Sequence, residues 1–138
     1  MNASFSRRVS LCGALGLFLG LTGCLAALQG SWRFASWKVD GVEKAVPAGV
    51  TASIEFDGQG RVHGGSGVNM FSGGFLLEGG QLKWTTPFRS TRRAGSAEHM
   101  EFERRFLMIL QACDKALEEG PKLKLSGAKG VLVFTRQP

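Results

Sequence analysis

One change of rhythm decides what this chain can build. From residue 31 onward, apolar side chains alternate with polar ones in short runs broken by glycine turns. Between Ser96 and Cys113 the spacing shifts to three and four, on Phe102, Phe106, Ile109, Leu110 and Cys113. A two-residue period lines one face of a strand, and a 3.6-residue period lines one face of a helix. Many alternating runs and one amphipathic helix can bury both kinds of face in few ways. The simplest is a curved antiparallel sheet of about seven or eight strands with the helix packed on it, an α+β, mostly β, class.

The runs can be placed. Ser31 to Val39 carries Trp32, Phe34 and Trp37, and the slip of phase between Phe34 and Trp37 predicts a bulge. Val50, Ala52, Ile54 and Phe56 share one face, the turn Asp57-Gly58-Gln59-Gly60 follows, and Arg61-Val62-His63 starts the return strand. Phe75 and Leu77 point inward, Gly79-Gly80 turns the chain, and Leu82 and Trp84 follow. Leu123 and Leu125 pair with Val131 to Arg136 across a Gly-containing turn. Ser96 is the predicted helix N-cap, and Gly120-Pro121 stops any continuation.

The N-terminus reads differently. Arg7 and Arg8 precede an apolar run, and from Val9 to Leu21 there are 13 residues. A membrane-spanning helix needs roughly 20. The charged, apolar and small-residue parts stand in the order of a secretory signal. Leu21-Thr22-Gly23-Cys24 resembles the bacterial lipobox, which implies a diacylglycerol on the Cys24 thiol and cleavage before it. Simple secretion and an uncleaved anchor are the alternatives. On the lipobox reading, residues 1–23 are a signal, residues 24–29 a short lipid-anchored tether, and residues 30–138 the domain. Removing 23 of 138 residues leaves 115, enough for one core. Leu25 after the acylated Cys points to the periplasmic face of the outer membrane in bacteria that sort lipoproteins.

Loss of Arg7 and Arg8 leaves 15 basic against 11 acidic residues, a net of +4. No nucleic-acid motif is present, so no nucleic-acid partner is expected. Cys12 leaves with the signal and Cys24 is acylated, so Cys113 is a lone structural thiol on the helix's apolar side. Gly64-Gly65-Ser66-Gly67 lacks the Lys-Ser/Thr of a phosphate loop, and its glycines serve positive φ or close backbone approach. His63 and His99 lack metal-ligand neighbours at the required spacing, so no metal or cofactor is expected. Glu98, Glu101 and Glu103 read as solvated charges at a helix start. No group of residues reads as catalytic.

Residues 65–75, Gly65-Ser66-Gly67-Val68-Asn69-Met70-Phe71-Ser72-Gly73-Gly74-Phe75, resemble the signature of the META domain (HslJ-like) family. Leu28-Gln29-Gly30-Ser31-Trp32 is similar to the family's opening, and Ser90-Thr91-Arg92-Arg93-Ala94 to the run before its helix. Glu101, Phe106 to Leu110, Gly120, Leu123 and Leu125 match its helix and following strand, and the family pattern places a short strand over Ala116 to Glu119. The resemblance marks Trp32, Gly67, Asn69, Phe71, Gly73, Thr91 and Arg92 as motif residues, structural or partner-binding. Asn69 is expected to fix the glycine-rich turn, tolerating a left-handed backbone, and Phe71 to anchor it to the core. Thr91-Arg92 could serve a carboxylate or a partner.

Relatives carry cysteines where this chain has Val68 and Gly95, and the resemblance implies that they form a disulfide there. The resemblance further implies a non-catalytic envelope lipoprotein linked to stress response, with a binding or structural role. Its expected partners are the membrane, through Cys24, and an envelope protein or lipid ligand; the expected state is monomeric. The family's likeness to the cracked β-barrel of secretion pilot proteins raises an alternative, a lipid or peptide sheltered in an apolar groove beside Phe102 and Phe106. Inhibition of a cell-wall hydrolase is another. Whether Arg92, Asn69 and Trp84 converge on an open surface separates binding from pure structure.

Overall fold

Ten strands and one long helix follow one another in the computed structural model, which describes residues 28–138. The signal, Cys12, Cys24 and residues 25–27 lie outside the described residues. The elements are β1 (Gly30–Val39), β2 (Val42–Lys44), β3 (Ala52–Phe56), β4 (Arg61–Ser66), β5 (Met70–Glu78), β6 (Gln81–Trp84), β7 (Arg89–Ser90), α1 (Ala97–Ala112), β8 (Cys113–Glu119), β9 (Lys122–Gly127) and β10 (Gly130–Arg136).

Eight of the strands close an antiparallel barrel in the order β1-β3-β4-β5-β6-β8-β9-β10, with β10 returning to β1. The short strands β2 and β7 lie off this ring, on β1 and β5. Closure is tight between β1 and β10, where register runs from Trp32↔Arg136 to Lys38↔Val131. The expected bulge is there, between Phe34 and Ser36. The weakest join is β6 to β8, one register pair, Gln81↔Lys115, with the Ala116 N–H donating to the Gly80 carbonyl at 2.9 Å. Beside that join Trp84 Nε1 donates to the Leu110 carbonyl at 2.9 Å, so the helix C-terminus is tied to β6.

Turn chemistry follows the sequence. Asp57 accepts from the Gln59 and Arg61 N–H groups, both at 2.8 Å, and so fixes the β3–β4 turn. Ser96 caps α1, its hydroxyl accepting from the His99 N–H at 3.2 Å. β8 begins where α1 ends, so Ala116 to Glu119 is strand, as the family pattern implied, despite its good helix propensity.

The core is built from both periods. Trp32, Ile54, Phe56, Val62 and Phe134 come from strands, and Phe102, Phe106, Ile109 and Leu110 from α1, all at most 2% exposed. Phe34 sits among four rings, with centroids 5.5 Å from Phe106, 5.6 Å from Phe102, 5.8 Å from Phe134 and 6.2 Å from Trp37. Phe102 and Phe106 are therefore committed to the interior. Cys113 is buried, its thiol donating to the Ile109 carbonyl at 3.2 Å, and burial first, then Asp114, pushes its pKa up to about 12.

Leu28 and Gln29, in the span expected to be tether, both contact the barrel. Leu28 is 3% exposed, and its carbonyl accepts from Trp32 Nε1 at 3.1 Å. Gln29 offers its carbonyl to the Arg136 guanidinium at 3.3 Å, and that guanidinium stacks 4.2 Å over the Trp32 ring. An apolar residue next to a buried tryptophan has more to gain from the core than from solvent.

Candidate functional site

Gly67, Asn69, Phe71 and Thr91 gather where β4 turns into β5, beside the first half of α1. Gly67 has φ +114°, and a Cβ there would stand 3.1 Å from the Phe102 ring. Gly64, one strand-turn earlier, abuts the Ser53 backbone so closely that no Cβ fits. These two glycines let the 64–69 segment lie flat against β3 and α1. Phe71 follows, 2% exposed, with its ring 5.5 Å from Phe88 and 6.3 Å from Phe106. Gly73 is glycine for a related reason: the Phe88 ring lies 2.6 Å from where its Cβ would stand.

Glu103 occupies the centre of this cluster. It is 8% exposed, which overturns its reading as a solvated charge. Its Oε1 accepts from the Asn69 N–H at 2.6 Å and the Val68 N–H at 3.3 Å, and its Oε2 accepts from Asn69 Nδ2 at 2.7 Å. The Ser66 hydroxyl lies 2.6 Å from Oε1 and 3.0 Å from the Asn69 carbonyl; its one proton goes to the shorter, charged acceptor. Burial raises the Glu103 carboxyl, but these hydrogen bonds outweigh it and hold the pKa below the usual value.

Asn69 is the hub rather than a turn-former. Asp40 is the one non-glycine at positive φ among the described residues, so Asn69 does not adopt the left-handed conformation. Its Oδ1 instead accepts from the Thr91 hydroxyl at 2.9 Å and from the Arg93 N–H at 2.6 Å, while Nδ2 also donates to the Arg93 carbonyl at 3.3 Å. Thr91 in turn accepts from the Met70 N–H at 3.1 Å and donates its own N–H to the Met70 carbonyl at 3.0 Å. Three segments distant in sequence, 66–70, 91–93 and Glu103, are thereby clasped together. No buried side-chain nitrogen or oxygen among the described residues lacks a partner.

The remaining motif residues divide. Trp32 is fully buried under the Arg136 guanidinium, in register with Ile54 of β3. Arg92 is exposed and its side chain stands outside the clasp. Trp84 is half-buried against Leu110, so Arg92, Asn69 and Trp84 do not converge on one open surface. Glu101 is a surface group, as expected. Arg104 and Arg105 beside it hold its pKa down to about 2. His63 faces outward, 3.8 Å from Glu55.

Val68 and Gly95 lie side by side. A Cβ on Gly95 would stand 2.8 Å from a Val68 methyl. The pair therefore occupies the place of a cross-link between the 64–69 segment and the loop before α1, the place the resemblance assigned to a disulfide.

Glu103 was legible and was missed. It lies three residues before Phe106 and seven before Leu110, on the buried stripe of α1. A carboxylate at such a position needs partners, and the N–H groups of a glycine-rich turn supply them.

The solved structures include close matches in shape. An NMR structure of a protein from Burkholderia xenovorans superposes with a TM-score of 0.70 at 27% identity, over 83% of this chain and 87% of that one. A second protein solved by NMR gives 0.60 at 21% identity, over 81% and 93%. A DUF4847 family protein from Bacteroides vulgatus gives 0.58 at 14% identity, over 80% and 96%, a likeness of fold alone. No curated protein matches the sequence. The family model described as META domain matches residues 25–138, the whole barrel with its clasp, and the chain belongs to the META domain family.

Proposed function

We propose that this is a non-catalytic lipoprotein of the bacterial envelope, whose META domain serves a binding or structural role under envelope stress. The observation that carries the non-catalytic reading is the clasp. The motif's most chemically capable groups, Glu103, Asn69, Ser66 and Thr91, spend their hydrogen bonds on one another. A general base needs a free lone pair aimed at a substrate, and a nucleophile needs an unengaged base beside it. On this reading Glu103, held by donors from Ser66, Val68 and Asn69, serves structure.

The sequence supports the anchor. Cys24 stands four residues before the buried Leu28, so an acylated Cys24 would hold the domain within about 14 Å of the lipid surface. Acyl chains on that cysteine, at about 0.8 kcal/mol per buried methylene, give stable attachment. The test is fractionation of cells making Cys24→Ser. The variant is expected to leave the membrane fraction; undiminished membrane association would refute the lipid anchor.

A further inference from the structure

We infer that the groove between β7 and α1 is a docking site for an extended acidic peptide segment of a partner protein. β7 pairs with β5 and with no other described strand, so its outer edge is free. The Thr91 N–H goes to Met70 and the Arg93 N–H to Asn69, both on the inner side. Alternation along an extended chain then turns the Ser90 and Arg92 N–H groups outward, along the free edge. An unpaired edge of this kind accepts another extended chain through main-chain hydrogen bonds.

The groove beside this edge holds about 500 Å³, and its lining includes Ser90 to Ala94, Phe88 and Met100 of α1. Phe88 also borders a second hollow of about 330 Å³, lined by Trp84 and Gln111. Met100 is 43% exposed, an apolar wall without a covering residue.

Charge selects the occupant. Arg92 and Arg93 line the groove, and neither guanidinium has an ion-pair partner among the described residues. Glu103 is the one acidic residue in the lining, and its oxygens are occupied by the clasp. A peptide with alternate acidic and apolar residues fits: carboxylates to Arg92 and Arg93, apolar side chains to Met100 and Phe88, backbone to Ser90 and Arg92.

This inference rests on the binding role proposed above and is independent of acylation at Cys24. The test uses the purified mature protein with its methionine methyls labelled with carbon-13. The probe is a short, fluorescent, end-blocked peptide alternating glutamate and valine. Binding should shift the Met100 methyl and leave Met108 unmoved. The R92E/R93E protein, its fold checked by circular dichroism, should bind roughly tenfold or more weakly, the scale of losing charge-assisted contacts. The lysine–valine counterpart should not bind. No binding by the glutamate peptide, equal binding by the lysine peptide, an unaffected R92E/R93E protein, or displacement of the peptide by phosphatidylglycerol vesicles would each overturn the inference. A Cys24→Ser protein that stays on the membrane would sink the anchor and leave the groove standing, whereas a failed peptide titration sinks the groove alone.

Discussion

Asn69 grips both oxygens of Glu103: its backbone N–H donates to Oε1 at 2.6 Å and its side-chain Nδ2 to Oε2 at 2.7 Å. One residue thus closes a ring around a buried carboxylate supplied from α1, more than thirty residues away. Meanwhile Asn69 Oδ1 receives Thr91 and Arg93 from a third segment. In this chain the Gly-x-Asn-x-Phe stretch, Gly67 to Phe71, is a clasp between β-sheet, helix and strap.

Glu103→Gln should weaken the clasp although it keeps the shape. Every partner of the carboxylate is a donor, so the new amide must turn its own N–H group toward another donor. One buried donor left unsatisfied costs about 1–3 kcal/mol. The pH dependence has a definite sign. Folding holds the Glu103 pKa below its usual 4.5, so its stabilisation is present above about pH 4.5 and is lost as pH falls through the lowered value. Urea unfolding at neutral and acid pH should show this loss in the natural protein and less of it in Glu103→Gln.

Asn69→Asp is the sharper substitution. It is nearly isosteric, yet it sets a second carboxylate against Glu103 Oε2, where Nδ2 now donates at 2.7 Å. Two like charges at that distance cannot both persist, so one pKa rises and folding pays the difference at neutral pH. Asn69→Asp should melt lower than Asn69→Ala at pH 7. The gap should narrow as acid protonates the pair. Thermal melts across pH check both points.

Val68→Cys with Gly95→Cys should form a disulfide on oxidation. The two positions are adjacent across the loop and 27 residues apart in sequence. Closing a loop of that length stabilises by about 2–4 kcal/mol. Val68 is only half-buried, so its removal offsets part of this gain. A raised melting temperature that reverts on reduction is the expected result. Two free thiols after oxidation would contradict the adjacency.

Much of the barrel was legible because its signals are local. The period-two runs, the Asp57 to Gly60 turn, the bulge after Phe34 and the Ser96 cap each depend on neighbours within a few residues, and each is present. β2 and β7 escaped notice because strands of three and two residues carry no readable period. Glu103 was misread because helix-start statistics favour exposed carboxylates, and its partners arrive from 34 to 37 residues away. Nothing local in the sequence shows that Trp32 bonds to the Leu28 carbonyl.

Cys113 should ignore thiol reagents in the folded protein. Burial pushes its pKa up to about 12, and the residue is only 3% exposed. Modification by a maleimide should appear only as the domain unfolds. Its rate in denaturant should follow the unfolded fraction.

The clasp is tested most directly by titrating the Glu103 side-chain carboxyl by carbon-13 NMR, assigned through Glu103→Gln. The hydrogen bonds from Ser66, Asn69 and Val68 are expected to place its midpoint below the usual value of 4.5, with the Asn69 N–H resonance moving at the same pH. A midpoint at or above 4.5, or an Asn69 amide indifferent to the titration, would contradict the account.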